Sequence, residues 1–500
     1  MTQSLTLAFL GAIILAAFGI AVVAARRSTT TNGFYVAEHG VAAWQNGMAI
    51  AGDFLSAAAF LGILGATALT GLSGFYIAIS VPTTFVLVAL IVAEPLRNLG
   101  KFTLSDMLAA RFPGRGVRAI AALNALVVSG LFMVAQFVGA GLLIKLLLGL
   151  SYPVSVVLVG VLMTAYVLLG GMVAVTWIQV FKTGLLLFAA AILFTLTMAR
   201  FNWSVGEIFA QAVDKIGPRM VTPPHAPTLA GRLDYISLNL GVAIGPLGLP
   251  HVLVRFLTVP NAQAARRSVV VASWIISLFL LSVAFIGLGA AVLLGPDAIR
   301  AANPAGTLTT PMLAQLVGGP VLLAFVSAVI FATILAVIAG VAISAAGTFA
   351  HDIYANILRP RSGDRERLFA ARSAAVLVSG LAILLSLGAS HLNLAYIGII
   401  AFTVAASANV PAILLTLFWR GFNETGALAC LWVGLLSAVG LVLAGPTILG
   451  ADALFPLANV GIASVPAGFL AAWLGSLRGA RRAAQDTDFD TLLVRASLTS

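Results

Sequence analysis

Cysteine is almost missing from this chain: Cys430 stands alone, inside an apolar run. One thiol excludes both an intrachain disulfide framework and a cysteine-ligated cluster. Charge is equally scarce, at 9% of residues against 61% hydrophobic, and the mean hydropathy of +1.09 is beyond what a soluble domain of this length shows. The five histidines, His39, His225, His251, His351 and His391, stand mostly near segment ends or in loops and never pair within a segment. A haem or redox membrane enzyme would need ligands clustered on facing helices, so that class fails. No Gly-x-x-x-x-Gly-Lys-Ser/Thr phosphate loop occurs, which removes ATP as an energy source. The polar end after Arg482 is expected to be too short for a regulatory or signalling domain.

Long apolar runs take the place of everything missing. A helix needs about 20 residues at about 1.5 Å each to cross the hydrocarbon core. About thirteen segments qualify, near 4–24, 44–70, 74–94, 117–147, 153–173, 176–199, 234–256, 269–295, 314–349, 370–389, 394–418, 426–444 and 455–477. They follow one another too closely for separate soluble cores, so an all-α polytopic membrane protein is expected. The net charge of +11 does not point to nucleic acid, because the cations sit in short loops between the apolar segments. Met1–Ser4 carries no basic residue while Arg26 and Arg27 follow the first segment, which puts the N-terminus outside and the tail in the cytoplasm. Alternation from there leaves only Lys145, Arg200, Lys215, Arg219, Arg232 and Arg300 outside, the other 21 of the 27 Lys and Arg being inside. The loop 200–232, rich in proline, is either a lid or a tether. In 101–113, Leu104, Met107 and Leu108 fall at helical spacing and suggest a helix lying along the interface.

The strongest pointer to function is Asp53, in Gln45-Asn46-Gly47-Met48-Ala49-Ile50-Ala51-Gly52-Asp53-Phe54-Leu55-Ser56. An Asp near a helix centre in lipid costs roughly 2.5–3.5 kcal/mol on insertion scales, so it faces a cavity and handles an ion or proton. About 190 residues on, Leu240-Gly241-Val242-Ala243-Ile244-Gly245-Pro246-Leu247-Gly248-Leu249-Pro250-His251 carries two prolines in a second hydrophobic segment. Interrupted helices survive in a membrane where they line a polar cavity. A matched pair of them marks an inverted-repeat transporter, here with five segments in 44–199 answering five in 234–420. Residues 1–43 then form a first helix and inside loop, 200–233 an outside loop, 421–480 two extra helices and 481–500 the tail. Close helix packing would explain the glycines alone, but two prolines beside His251 and Asp53 at the matching place favour the broken pair.

Tyr166-Val167-Leu168-Leu169-Gly170-Gly171-Met172-Val173-Ala174-Val175-Thr176-Trp177, Arg255-Phe256 with Ala265-Arg266-Arg267-Ser268, and His351-Asp352-Ile353-Tyr354 resemble the solute:sodium symporter family. Within it, Gln45 to Gly62, Arg97-Asn98-Leu99-Gly100-Lys101, Gly248-Leu249-Pro250-His251 and Phe331 to Val337 are similar to the acetate permease branch. The resemblance spans roughly 30–480 and implies a LeuT-type fold of five-plus-five inverted repeats. It implies a plasma-membrane symporter, not an enzyme, that takes up acetate or a related monocarboxylate with a cation, Na+ or H+. No other cofactor and no partner beyond substrate and bilayer is expected, neither ATP nor nucleic acid. A passive channel or uniporter, and a Na+-coupled symporter of another small solute, are the alternatives.

The resemblance also implies an ion site made by the Gly52 and Leu55 carbonyls with side chains near Thr333, Ala336 and Val337, and a possible Na+ at Gly52, Leu55 and Thr333. This chain departs from the family there. Adjacent hydroxyls are usual where it has Ala336 and Val337, and the family's frequent Asp and Gln fall at Gln179 and Lys182. Hard cations want oxygen ligands that methyl groups do not supply. Two cation accounts stay open: Asp53 or Ser56 replaces the hydroxyls for sodium, or Asp53 takes up and releases a proton. For a carboxylate substrate, half-helix N-termini flanking Gly52–Ser56 and Gly245–Gly248 are natural receptors. Gln136, Asn239, Gly245, Thr403 and Ser407 are candidate contacts, each side chain equally able to make a helix-to-helix hydrogen bond. His251 and Arg255, at i and i+4, share a face and with Gln179 and Lys182 are candidates for an inner gate, although Arg255 reaching the headgroups is the simpler alternative.

Overall fold

A computed structural model of the chain describes residues 2–25, 31–56, 58–169, 171–222, 226, 228–389, 392, 394–478 and 484–497. Arg26, Arg27, Gly170, Pro223, Pro224, His225, Pro227, His391, Arg481 and Arg482 lie outside them, as do the side chains of 165–169. Among the described residues every regular element is helical. Ten helices are long and apolar enough to cross a membrane, and the bent pair Ala43–Phe54 and Ala58–Thr70 raises the count to eleven. The expected thirteen is not reached on that measure. Helices α7 (Tyr152–Leu169) and α17 (Gly461–Arg478) nevertheless stand at the two remaining positions.

The first helix, α1 (Thr2–Ala25), packs on the outside of the bundle. The first broken element follows as α2 (Ala43–Phe54), an inverse γ-turn centred on Leu55 with the Ser56 N–H donating to the Phe54 carbonyl at 2.8 Å, a π-helical stretch Ala58–Ile63 and α3 (Leu64–Thr70). Its halves meet at 54°. Next come α4 (Leu72–Leu87), the short α5 (Leu104–Ala109), the long α6 (Arg115–Leu148), α7, and α8 (Met172–Ala199). After α9 (Val205–Lys215) the second broken element runs as α10 (Leu229–Ile244), a 3-10 turn Gly245–Gly248, an extended Leu249, α11 (Pro250–Leu253) and a second 3-10 turn Val254–Leu257. Helices α12 (Ala262–Leu294), α13 (Thr309–Gly347), α14 (Asp364–Gly388), α15 (Leu394–Phe418), α16 (Glu424–Leu443), α17 and α18 (Ala484–Ser497) complete the chain.

Composition sorts these helices into two layers. Alanine, glycine and serine crowd α13 and α15, which lets backbones approach. These two, with α6 and the second broken element, make the centre. In an 18-residue apolar stretch of α15, 89% of residues are buried, against 28% in the corresponding stretch of α1.

One local expectation needs correction and two others gain detail. Leu104, Met107 and Leu108 do form a helix, but all three are buried and α5 packs on α6, so their apolar face serves the protein rather than the lipid interface. The connection 200–232 is no simple tether: α9 packs on α12. The tail is helical and docked, with Asn98 Nδ2 donating to the Ala496 carbonyl at 2.9 Å, the Arg111 guanidinium 4.5 Å from the Phe489 ring centre and Arg420 paired with Asp490.

Candidate functional site

The first break brings a carboxylate and unsatisfied carbonyls to the point where α2, α8 and α13 meet. Two glycines permit the approach. A Cβ on Gly52 would lie 2.7 Å from Gln179 Oε1 and 3.1 Å from Lys182 Cε, and one on Gly340 would lie 2.7 Å from Asp53 Oδ1. Asp53 is fully buried. Its Oδ2 accepts from Arg255 Nε at 2.5 Å, and its Oδ1 accepts from Gln179 Nε2, which also donates to the Ala336 carbonyl at 3.0 Å. Arg255 Nη1 donates to Thr176 Oγ1 at 2.9 Å and approaches Met172 Sδ at 3.3 Å. Arg255 therefore does not reach the headgroups: it is 1% exposed and ties the second broken element to the first. Asn46 reinforces the tie, donating to the Arg255 carbonyl at 3.0 Å and accepting from Thr258 Oγ1 at 3.2 Å.

Lys182 takes the carbonyls of the first break. Its Nζ donates to the Gly52 carbonyl and, at 3.2 Å, to that of Leu55. Thr333 is buried nearby in sequence to Ala336 and Val337, and its hydroxyl donates to the Val329 carbonyl at 2.8 Å. The freed carbonyls of the second break are met from neighbouring helices: Asn409 Nδ2 donates to Gly248 O at 2.8 Å, and Thr84 Oγ1 donates to Ala243 O at 2.6 Å. Backbone groups loosened by glycine and proline are thus satisfied inside the protein, as lipid burial requires.

An aromatic ladder links the two breaks. Phe54 stacks on Phe402 at 6.0 Å, Phe402 on Phe132 at 5.9 Å, and Phe132 on His251 at 4.7 Å. Beside it a small cavity is lined by Phe54, Ser56, Ala58, Ala59, Val81, Phe132, Val242, Ile399 and Phe402. Of the expected substrate contacts, Gln136 is buried one turn beyond Phe132 and neither of its amide atoms has a hydrogen-bond partner; both ring nitrogens of His251 are also without one. Asn239 instead donates to the Tyr235 carbonyl and accepts from Ser80 Oγ, both away from the cavity lining. Thr403 donates to the Ile399 carbonyl, Ser407 to the Thr403 carbonyl, and Ser407 also pairs with Ser464. Gly245 packs beneath Phe402.

A second charged cluster escaped the sequence reading, although His351 and Asp352 stood in one of its quoted motifs. Asp106 Oδ1 accepts from Arg118 at 2.8 Å and meets His351 Nε2 at 2.9 Å; Arg118 also donates to Asp352 at 2.7 Å. Burial pushes the Asp106 carboxyl up, but His351 and Arg118 outweigh it and hold this group, on the short α5, well below the usual carboxylate range. Nothing in the spacing of residues 106, 118 and 351 announces this meeting.

Two interrupted helices facing each other across a buried ion pair, inside a bundle of apolar helices, define a multi-pass membrane transporter rather than an enzyme. The model of the sodium:solute symporter family matches residues 34–434. An uncharacterised symporter, YwcA of Bacillus subtilis, is 46% identical and the match covers 97% of both chains. A monocarboxylic acid transporter of Corynebacterium glutamicum is 40% identical over 91% of this chain and 88% of that one. Among solved structures, a Na+-coupled sialic acid symporter superposes with a TM-score of 0.78 at 17% identity over 95% of this chain and 98% of the other. The nucleobase-cation symporter Mhp1 does so at 0.54 and 15%, over 93% and 98%. The chain belongs to the sodium:solute symporter family, has the LeuT-type fold, and is a cation-coupled symporter.

Proposed function

We propose that this protein imports acetate or a related short-chain monocarboxylate across the plasma membrane by alternating access, with Na+ or H+ moving in the same direction. The N-terminus then lies outside and the tail in the cytoplasm, and 44–199 and 234–420 are the two repeats that rock against each other. The observation that carries this reading is the cavity at the first break. Its walls are aromatic and aliphatic, suited to a short alkyl group, while Ala58 and Ala59 bring the N-terminal end of the second half-helix to it. The Ala59 and Phe60 N–H groups already donate to the Ser56 carbonyl at 3.0 and 3.1 Å, so it is the positive dipole of this end that favours a carboxylate. Similarity to the Corynebacterium monocarboxylic acid transporter supports the same substrate class. Ser56, Gly245 and the unpartnered amide of Gln136 are the substrate contacts in this reading; Asn239, Thr403 and Ser407 would have to leave their present partners to join them. Asp53, with Gly52, Leu55, Ser56, Thr333, Ala336 and Val337 around it, marks the cation pathway, and Gln179, Lys182, His251 and Arg255 close it on one side.

The test is uptake of labelled pyruvate by the purified protein in liposomes, with empty liposomes as background and acetate and propionate as competitors. Inside concentration should exceed outside under an imposed cation gradient. Equilibration without accumulation would make the protein a channel or uniporter, and a lack of competition would move the substrate to another class.

A further inference from the structure

The site where family resemblance puts a sodium ion is the site that Lys182 fills. Its ammonium binds the two carbonyls released by the first break, at Gly52 and Leu55, and the side chain is 1% exposed. The remaining oxygens at this level are few: Gln179 Oε1 is buried without a hydrogen-bond partner, and the others are engaged in hydrogen bonds or replaced by carbon. Gln179 Nε2 donates to the Ala336 carbonyl, the Thr333 hydroxyl donates to Val329, and Ala336 and Val337 offer methyl groups. A free alkali cation here would meet the Lys182 side chain and find the Gly52 and Leu55 carbonyls occupied, so the residues present do not fit sodium.

The local charge balance says more. Asp53 from α2 and Arg255 from the second broken element are the charged groups that face Lys182, and they pair with each other at 2.5 Å. From α1, α7 and α13 the groups around Lys182 are apolar, among them Ile13, Phe18, Met163 and Leu335. Two cations thus share one carboxylate away from water, leaving a net positive charge that departure of one proton would cancel. Arginine keeps its charge in proteins, whereas a lysine can release its proton when desolvated.

We infer that Lys182 is a tethered substitute for the coupling sodium, and that the proton it carries is the coupling ion. The inference rests on the symporter reading above. On the entry side the lone pair of the neutral Lys182 amine forms an N–H bond with a proton taken from water. The resulting ammonium binds the Gly52 and Leu55 carbonyls and draws α2 onto α8. On the exit side that N–H bond breaks, the proton passes to water, and the amine is restored while Arg255 continues to hold Asp53.

The test compares two gradients and two modes of transport, using the full chain in liposomes. Labelled pyruvate, which crosses lipid slowly as the anion, is offered under an inward proton gradient without sodium, and under an inward sodium gradient at equal pH. The wild-type protein should accumulate pyruvate under the proton gradient and ignore sodium. Lys182→Met and Lys182→Arg should lose accumulation, and the loss should exceed any fall in exchange of labelled for unlabelled pyruvate at equal pH, a mode that needs no net proton movement. Wild-type accumulation driven by sodium and not by protons would overturn the role of Lys182 while leaving the symporter standing. Accumulation under neither gradient would remove both. Proton-driven accumulation that survives in Lys182→Met would overturn the inference by itself.

Discussion

Arg255 and Asp53 lie 202 residues apart in the chain and meet at 2.5 Å in the middle of the bundle, joining the two interrupted helices through one buried ion pair. Desolvating both charges is costly, and the pair is tolerated because Gln179 and Thr176 satisfy further atoms of each partner. Removing one partner from such a pair costs about 3–5 kcal/mol, since the other is left buried and uncompensated. Asp53→Asn is therefore expected to abolish accumulation in liposomes and to lower the melting temperature in detergent. Adding Arg255→Met should recover part of the stability but none of the transport. Full uptake by Asp53→Asn would reduce the pair to a structural tie.

Gln136 gives the opposite pattern. Its amide is buried and unpartnered, so an apolar replacement of similar size removes a desolvation cost without breaking a bond. Gln136→Leu should leave the melting temperature unchanged or raised, while the KM for pyruvate rises. An unaltered KM would take Gln136 out of the substrate site.

Much of this site could be read from the residues. Asp53 inside an apolar segment, Gly47 and Gly52 around it, and the paired prolines at 246 and 250 announced two broken helices, and both are broken. What the residues could not announce is who meets whom. Lys182 reaches the Gly52 carbonyl across 130 positions, and Arg255 turns inward to Asp53 instead of toward the headgroups. Helical spacing shows which residues share a face but not whether that face meets lipid or protein, so the spacing of Leu104, Met107 and Leu108 fits the interface and the buried face equally well. Thr403 and Ser407 lie on a central helix as expected, yet their hydroxyls bond to carbonyls one turn back, a choice open to any hydroxyl in a helix.

The Asp106 cluster carries a pH signature. Because His351 and Arg118 make this carboxyl more acidic in the folded protein than in the unfolded chain, the unfolded chain binds the proton first. The stabilisation is present in full above the ordinary carboxylate pKa of about 3.9 and is lost as pH falls toward the depressed folded value. Asp106→Asn should lower the melting temperature at neutral pH, and the gap from wild type should narrow on acidification below about 4. A gap independent of pH would mean that the cluster acts through shape alone.

Gly52 has no room for a side chain. The Cβ of alanine would lie 2.5 Å from Thr183 Oγ1 and 2.7 Å from Gln179 Oε1, forcing α2 away from α8. Gly52→Ala should abolish accumulation although the chain still inserts, as judged by its yield in membranes and its elution as a single species. Normal accumulation would show that the two helices need not touch.

The sharpest measurement uses the scarcity of cysteine. Cys430 is the only thiol, so Cys430→Ser gives a blank background in which Ser56→Cys places one label at the first break. Its reaction with a water-soluble thiol reagent, followed in liposomes with and without pyruvate, reports whether substrate occupies the cavity beside Phe54 and Phe402. Protection by pyruvate and acetate, and none by an uncharged amide of the same size, is expected if a carboxylate rests where the first helix unwinds. Labelling at the same rate with and without them would place the substrate elsewhere.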